Sequence, residues 1–252
     1  MEENPVKRMR YLSFLVLFSI GLAPLVLIVS GSSDAQGGRE TIAIIGTGNV
    51  GSTLGKIWAQ AGHTVIYGSR TPDSDRVRKL LTETGNGATA TTQAAAAQQG
   101  GIVMIPIPAT AIPEVIGALG DLTGKIILDP TNYWSFEDGY PISPRDPRDS
   151  LAAEVQALAP GASVVKALNT LNYAVMEDPS WSDGPVTVPI AGDDVAAKER
   201  VARLVEDVGL EPLDVGPLKA AEYLEEMLRL ALGFREVSPG MAFDYYLRVR
   251  PN

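Results

Sequence analysis

A glycine-rich segment constrains the fold of this 252-residue chain more than any other feature. It reads Gly46-Thr47-Gly48-Asn49-Val50-Gly51 and directly follows Thr41–Ile45, an apolar and β-branched run that favours a strand. Residues 49–61 then carry apolar side chains at helical spacing. A strand, a G-x-G-x-x-G turn and a helix in this order predict a dinucleotide-binding βα unit.

Each of the three glycines in the motif is needed for a different physical reason. Gly46 permits a tight turn, Gly48 lets the backbone approach a pyrophosphate, and Gly51 lets the helix pack closely on the strand. Free N–H groups at the start of the helix attract the anion. The sequence therefore predicts that the loop binds the cofactor through Gly46, Thr47, Gly48, Asn49, Val50 and Gly51.

The end of the second predicted strand, residues 63–67, selects between the two nicotinamide cofactors. Enzymes that use NAD carry Asp or Glu there, bonded to the ribose 2′-hydroxyl. This chain instead has Ser69 and Arg70, which could hold a 2′-phosphate. A charge-assisted hydrogen bond contributes about 1.5–3 kcal/mol, so we expect a preference for NADP of roughly tenfold or more. The alternative is that Arg70 is a solvated surface arginine.

Strands and helices alternate along the rest of the chain. Further strands are predicted over residues 102–107, 125–128, 163–167, 186–191 and 211–215. This alternation predicts an α/β fold with a doubly wound, mostly parallel Rossmann-type sheet. Residues 40–216 would form the NADP-binding domain and residues 217–252 a short C-terminal helical extension, with an amphipathic helix over residues 218–232. Residues 131–147 are rich in Pro, Gly and Asp and predict a long loop, which is often functional.

Three segments should meet at the carboxyl ends of the strands, where open α/β sheets bind ligands. The first, with Ile105 and Pro106, should pass beside the nicotinamide. The others contribute Asn132, Asn169 and Thr170, which can orient a planar ring but are poor acids or bases. No catalytic acid or base is therefore predicted, although Lys166 is the best remaining candidate. The simpler interpretation is that Lys166 is structural or solvated.

Composition excludes several kinds of site. The chain has no cysteine, which excludes disulfides, thiolate metal sites and cysteine nucleophiles. His63 is the single histidine, and we expect it on the adenosine side or on the surface, outside catalysis. No metal site is predicted. The net charge of −9 and the lack of a basic stripe beyond the first ten residues argue against a nucleic-acid partner.

The N-terminal residues predict targeting to a membrane. Lys7, Arg8 and Arg10 precede an uncharged apolar run over residues 11–29, and small polar residues follow. Residues 1–39 therefore resemble a signal peptide or a membrane anchor. Either would place the folded part outside the cytoplasm. A downstream start site would instead leave a cytoplasmic enzyme, where reduced NADP is abundant.

Five segments carry a resemblance to a known family. Residues 44–51, 68–70, 165–170, 191–194 and 213–218 resemble the NADPH:coenzyme F420 oxidoreductase family. They are also similar to the reductase domain of six-transmembrane metalloreductases. The resemblance implies that Thr47, Asn49, Ser69 and Arg70 bind NADP and that Pro106, Asn169 and Thr170 lie near a ring partner. It also implies a homodimer.

The resemblance implies hydride transfer between NADPH and coenzyme F420 or a flavin, a small-molecule redox partner. Two alternatives stay open. One is an NADP-dependent dehydrogenase or reductase of a small carbonyl or imine, with Lys166 as the acid. The other is a non-catalytic, dinucleotide-binding sensor.

Overall fold

The computed structural model describes residues 38–133, 136–137, 140–141, 150–237 and 246–249. The predicted signal peptide or anchor lies almost wholly outside these residues. Within the described ranges, no helix has both the length and the apolar character that a bilayer span requires.

An eight-stranded sheet forms the centre of the described structure. Its strands are β1 (Thr41–Ile45), β2 (Thr64–Gly68), β3 (Thr89–Thr91), β4 (Ile102–Met104), β5 (Ile126–Asp129), β8 (Ser163–Lys166), β9 (Thr187–Gly192) and β10 (Glu211–Asp214). Their spatial order is β3-β2-β1-β4-β5-β8-β9-β10. The chain winds outward from β1 to β3 and then crosses to β4 on the other side. The predicted doubly wound sheet is therefore confirmed, with its switch point between β1 and β4.

The sheet is parallel from β3 to β8, but β9 pairs with β8 in the antiparallel direction. Val165 pairs with Gly192 and Lys166 with Ala191. Because β10 is parallel to β9, two strands run against the other six. The start of β9 therefore extends beyond Lys166 at the edge where the parallel strands end.

Helices cover both faces of the sheet. They are α1 (Asn49–Gln60), α2 (Asp75–Thr84), α3 (Gln93–Gln99), α4 (Ile112–Ala118), α5 (Leu151–Leu158), α6 (Tyr173–Glu177), α7 (Val195–Asp207) and α8 (Ala221–Val237). Alternate residues of β1 point to opposite faces. Ile42 and Ile44 enter one core cluster with α1 and α7, whereas Ala43 and Ile45 enter the other with α3, α4 and α5.

Helix α1 approaches β2 closely at Gly55. A Cβ at this position would lie 2.2 Å from the hydroxyl of Tyr67, so only glycine fits without a shift. The Tyr67 hydroxyl pairs with Thr84 Oγ1 at 3.0 Å, and burial raises the pKa of Tyr67. The contact fixes α1, and with it the glycine loop, against the sheet.

His63 lies at the amino edge of the sheet, away from the glycine loop. The ring is 7% exposed; Nδ1 accepts the Glu40 N–H at 3.0 Å, and Nε2 lies 2.8 Å from Asp207. The Arg200 guanidinium bonds Glu40, and these hydrogen bonds lower the pKa of that carboxyl. The prediction that His63 lies on the adenosine side or the surface is wrong, because the side chain is buried and the residue directly precedes β2, at the amino end of that strand.

Several element boundaries differ from the sequence predictions. The strand predicted over residues 102–107 ends at Met104, since Pro106 has no N–H to donate. Residues 131–147 include two short paired strands, β6 (Phe136–Glu137) and β7 (Tyr140–Pro141). Residues 246–249 are not helical; they run beside β9, where the Thr187 N–H donates to the Leu247 carbonyl at 2.8 Å.

Candidate functional site

The glycine loop has the backbone geometry that the motif predicts. Gly46 has φ of +141°, a conformation that other residues rarely adopt. A Cβ on Gly51 would lie 2.2 Å from the Gly46 carbonyl oxygen, which explains the close packing of α1. A Cβ on Gly48 would have no atom within 4 Å. Gly48 is thus the glycine that borders open space, where a pyrophosphate could approach the start of α1.

Ser69 and Arg70 follow β2 on the same edge of the sheet. Ser69 is 9% exposed, and its Oγ accepts the Thr71 N–H at 3.1 Å, which fixes the turn. Arg70 is exposed. Arg76 was not among the predicted site residues, yet its guanidinium donates from Nη2 to the Thr47 carbonyl at 3.0 Å. The available signal was a basic residue in the first turn of the helix that follows β2.

A cavity of about 720 Å³ opens at the carboxyl edge. Its wall combines the glycine loop, the segments after β4, β5 and β8, one side of α8, and the C-terminal segment. The lining residues are Gly48, Asn49, Val50, Pro106, Ile107, Pro108, Pro130, Thr131, Asn132, Leu168, Asn169, Thr170, Leu171, Asn172, Tyr173, Met227, Leu228, Ala231, Leu232 and Tyr246. The three predicted segments therefore meet in one cavity, and none of these lining residues is charged.

The predicted site residues divide between this cavity and its surroundings. Pro106, Asn132, Asn169 and Thr170 line the cavity. Ile105 is fully buried in the core beneath it, and the neighbouring Ile107 contributes to the lining instead. Gly46, Thr47, Gly51, Ser69 and Arg70 do not line the cavity. Their positions at the loop and the β2 end suit the adenosine and phosphate part of a dinucleotide.

Asn132 and Asn169 form a reciprocal pair in the cavity wall. Asn132 Nδ2 donates to the Asn169 carbonyl at 2.7 Å, and Asn169 Nδ2 donates to Asn132 Oδ1 at 3.0 Å and to the Leu224 carbonyl at 2.9 Å. The Leu224 carbonyl can only accept, so this contact fixes the orientation of the Asn169 amide. Asn169 is 3% exposed, and its Oδ1 has no hydrogen-bond partner. Such an orphaned buried acceptor is costly unless a ligand or a rearrangement satisfies it.

Leu168 supplies the sharp turn that presents Asn169. It has φ of +63°, the left-handed conformation, which is uncommon for a side chain of this size. Leu168 is nevertheless buried, with 2% exposed, so packing maintains the strained backbone. Strain of this kind concentrates at ligand sites, in agreement with the position of Leu168 in the cavity wall.

Lys166 is fully buried and belongs to an ionic cluster behind the cavity. Its ammonium group contacts Asp129 Oδ2 at 3.1 Å, the Thr131 carbonyl at 2.6 Å and Glu225 Oε1 at 2.8 Å. These three acceptors use all three N–H donors of the lysine. Asp129 also accepts from the N–H and hydroxyl of Thr131. The geometry therefore favours the structural interpretation of Lys166 over its use as a proton donor.

Helix α8 completes the cavity, although no residue of this helix was among the predicted site residues. Glu225 connects it to Lys166 and to the N-terminus of α5, where the Leu151 N–H donates to Oε2 at 3.0 Å. The next turns provide Met227, Leu228 and Ala231 to the wall. Amphipathic spacing indicated a buried face for this helix, but could not indicate which element that face covers. Among the described residues there is no cluster of acidic or histidine side chains suited to a metal ion.

Comparisons with known proteins agree with this geometry. Residues 41–133 match the family described as NADP oxidoreductase, coenzyme F420-dependent. A candidate F420-dependent NADP-reductase from Arthrobacter sp. FB24 is 30% identical with a TM-score of 0.71, covering 79% of this chain and 94% of that chain. A hypothetical protein from Sinorhizobium meliloti, SMa0349, is 31% identical with a TM-score of 0.64, covering 73% of this chain and 88% of its own.

More distant relatives extend the comparison. Metalloreductase STEAP3 from Rattus norvegicus is 29% identical over 208 residues, which are 81% of this chain but only 40% of the metalloreductase. A reductive aminase from Aspergillus terreus, solved in complex with NADPH and ethyl-5-oxohexanoate, shares the fold at 18% identity and a TM-score of 0.56. These findings confirm the predicted resemblance and the predicted oxidoreductase class. The chain is an NADP-dependent oxidoreductase and belongs to the coenzyme F420-dependent NADP oxidoreductase family.

Proposed function

We propose that the enzyme transfers hydride between NADPH and a planar ring acceptor, a deazaflavin such as coenzyme F420 or a flavin. The observation that carries this proposal is the chemistry of the cavity wall, which is apolar and amide-rich and includes no charged side chain among the lining residues. Transfer between two rings requires mainly their alignment at contact distance. Reduction of a carbonyl also requires a positioned proton donor.

The residues present fit a dinucleotide. Gly48 leaves room for the pyrophosphate at the start of α1, and the exposed Arg70 can pair with a 2′-phosphate. From the loop, a bound dinucleotide would lead toward the cavity, because Gly48, Asn49 and Val50 belong to both. Pro106 and Ile107 would then lie beside the nicotinamide, where the proline stiffens the backbone.

The cavity also fits a second ring. Met227, Leu228 and Ala231 offer an apolar surface opposite the strand ends, suited to a planar face. Asn132 and Asn169 contribute side-chain amides to this wall, and both a carboxamide and the pyrimidine part of a deazaflavin carry groups that can hydrogen-bond to amides. A volume of about 720 Å³ lies within the range of ordinary ligand pockets, roughly 300–1,000 Å³.

The chemistry balances without an acid from the wall. NADPH supplies a hydride, which carries two electrons, and the ring acceptor takes up one further proton. Because the lining has no charged side chain, we propose that this proton comes from water. The protein then binds both rings, orients them through the amide pair and excludes bulk solvent from the contact.

A second candidate is reduction of a small carbonyl or imine. One observation favours it: Tyr173 and Tyr246 line the cavity, and a phenol O–H can donate a proton. Reduction of a carbonyl or imine would require one of these tyrosines as the proton donor, whereas hydride transfer between two rings would not.

The test is NADPH oxidation by the full-length protein against F420, FMN, FAD, a ferric chelate, a ketone and a cyclic imine. Rapid turnover with F420 or a flavin, retained in Tyr173→Phe and Tyr246→Phe, would support ring-to-ring transfer. Turnover only with the ketone or imine, lost in one tyrosine variant, would contradict it and establish the second candidate. NADPH binding without turnover on any acceptor would contradict both and favour a sensor.

A further inference from the structure

Arg76 reaches from helix α2 across to the glycine loop. It lies in the first turn of α2, its side chain is exposed, and its Nη2 donates to the Thr47 carbonyl at 3.0 Å. Thr47 is the second residue of the G-x-G-x-x-G motif. The guanidinium therefore lies between the loop and the segment that follows β2.

This space is where a Rossmann fold places the adenosine ribose of its dinucleotide. Ser69 and Arg70 border it from the end of β2, and Thr47 borders it from the loop. An arginine held across this space faces whatever substituent the ribose 2′-position carries. For NADP that substituent is a phosphate, which arginine binds with two parallel hydrogen bonds.

The neighbouring charges leave Arg76 as the available cation of α2. Arg78 bonds Asp75 Oδ1 at 2.6 Å and also the Asp73 carbonyl, while Lys79 pairs with Glu83 at 3.8 Å. The Arg78–Asp75 pair also compensates the one acidic side chain in the first turn of α2. Arg76, by contrast, donates to a neutral carbonyl, which a phosphate would readily replace.

We propose that Arg76 is a second cationic ligand of the NADP 2′-phosphate, opposite Arg70, and that its contact with Thr47 holds it ready for this role. The proposal rests on the NADP binding of the family and is independent of the hydride acceptor. It makes specificity for NADP over NAD a property of two arginines, one after β2 and one on α2.

The experiment measures binding of 2′,5′-ADP and 5′-AMP to the full-length protein by titration calorimetry. These ligands differ by the 2′-phosphate alone, so their affinity ratio isolates that group. In Arg76→Met, which keeps an apolar stem, we expect 2′,5′-ADP to bind about tenfold more weakly or worse, with 5′-AMP changed less than about twofold. Arg78→Met, on the same helix but paired with Asp75, is the matched control and should keep the wild-type ratio.

Two results would overturn the proposal. Equal losses for both ligands in Arg76→Met would mean that the residue only positions the glycine loop. An unchanged ratio would mean that Arg70 and Ser69 bind the phosphate without it. Neither result would bear on the acceptor, since the binding of 2′,5′-ADP and 5′-AMP involves no hydride acceptor.

Discussion

Each glycine of the motif is required for a different steric reason. The three glycines belong to one sequence motif, yet each has a different role in the structure. Gly46 has a positive φ, Gly51 leaves room for the Gly46 carbonyl, and Gly48 borders empty space. The sequence predicted all three roles, because each is a steric rule of the motif. The orphaned Asn169 oxygen and the saturated Lys166 ammonium could not be predicted, since both depend on partners 35 residues or more away.

Alanine at positions 48 and 51 should separate cofactor binding from stability. Gly51→Ala forces a methyl group against the Gly46 carbonyl, and we expect a loss of roughly 1–3 kcal/mol in the free energy of unfolding. Gly48→Ala meets no protein atom, so its melting temperature should stay within about 2 °C of wild type while its NADPH affinity falls. Thermal unfolding measured with and without NADPH gives both the stability of each variant and its stabilisation by NADPH. A destabilised Gly48→Ala, or an unaffected affinity, would refute the assignment of Gly48 to the pyrophosphate.

Helix α8 shows how a secondary-structure element can be predicted and its role missed. Its periodicity indicated an amphipathic helix over residues 218–232, close to the observed Ala221–Val237. Its place in the site comes from Glu225 at Lys166 and from the Leu224 carbonyl at Asn169, which are contacts across the fold. Two shorter elements were not predicted, for a different reason. The three residues of β3 and five of α6 are too few to show a period.

Removal of Lys166 should destabilise the fold far more than it affects chemistry. Lys166→Met would leave the buried Asp129 and the largely buried Glu225 without their cation, which typically costs about 3–5 kcal/mol. The triple variant Lys166→Met, Asp129→Asn, Glu225→Gln removes all three charges and should recover most of that loss. Urea denaturation measures the stability. If turnover per folded molecule in the triple variant fell by a hundredfold or more, Lys166 would be a proton donor after all.

The reversal of β9 and β10 shapes the molecule as a whole. Because β9 begins at the carboxyl edge, beyond the end of β8, its first residue meets the C-terminal segment beside the cavity. The Val249 N–H also donates to Thr187 Oγ1 at 3.2 Å, and Tyr246 lines the cavity from the same segment. The sequence predicted a mostly parallel sheet, but not which strands reverse, since apolar strands of either direction have similar composition.

Deletion of residues 246–252 should therefore affect stability and ligand binding together. Two hydrogen bonds to Thr187 would be lost, one to its N–H and one to its hydroxyl, and we expect about 1–3 kcal/mol less stability and weaker binding of the second substrate. Tyr246→Ala is the comparison, because it alters the cavity wall and keeps both bonds. It should change the acceptor KM with little effect on the melting temperature. A truncated protein that melts like wild type would show that the segment does not support β9.

The amino edge of the sheet has a practical consequence for how this enzyme could be used. The chain reaches β1 through Gly38, Arg39 and Glu40, and Glu40 is held there by Arg200 and His63. Five residues of extended strand, roughly 3.3 Å each, separate this point from the glycine loop. A resin or electrode coupled directly ahead of Gly38 would thus hold the enzyme by the amino edge of the sheet, with the mouth of the cavity at the opposite edge.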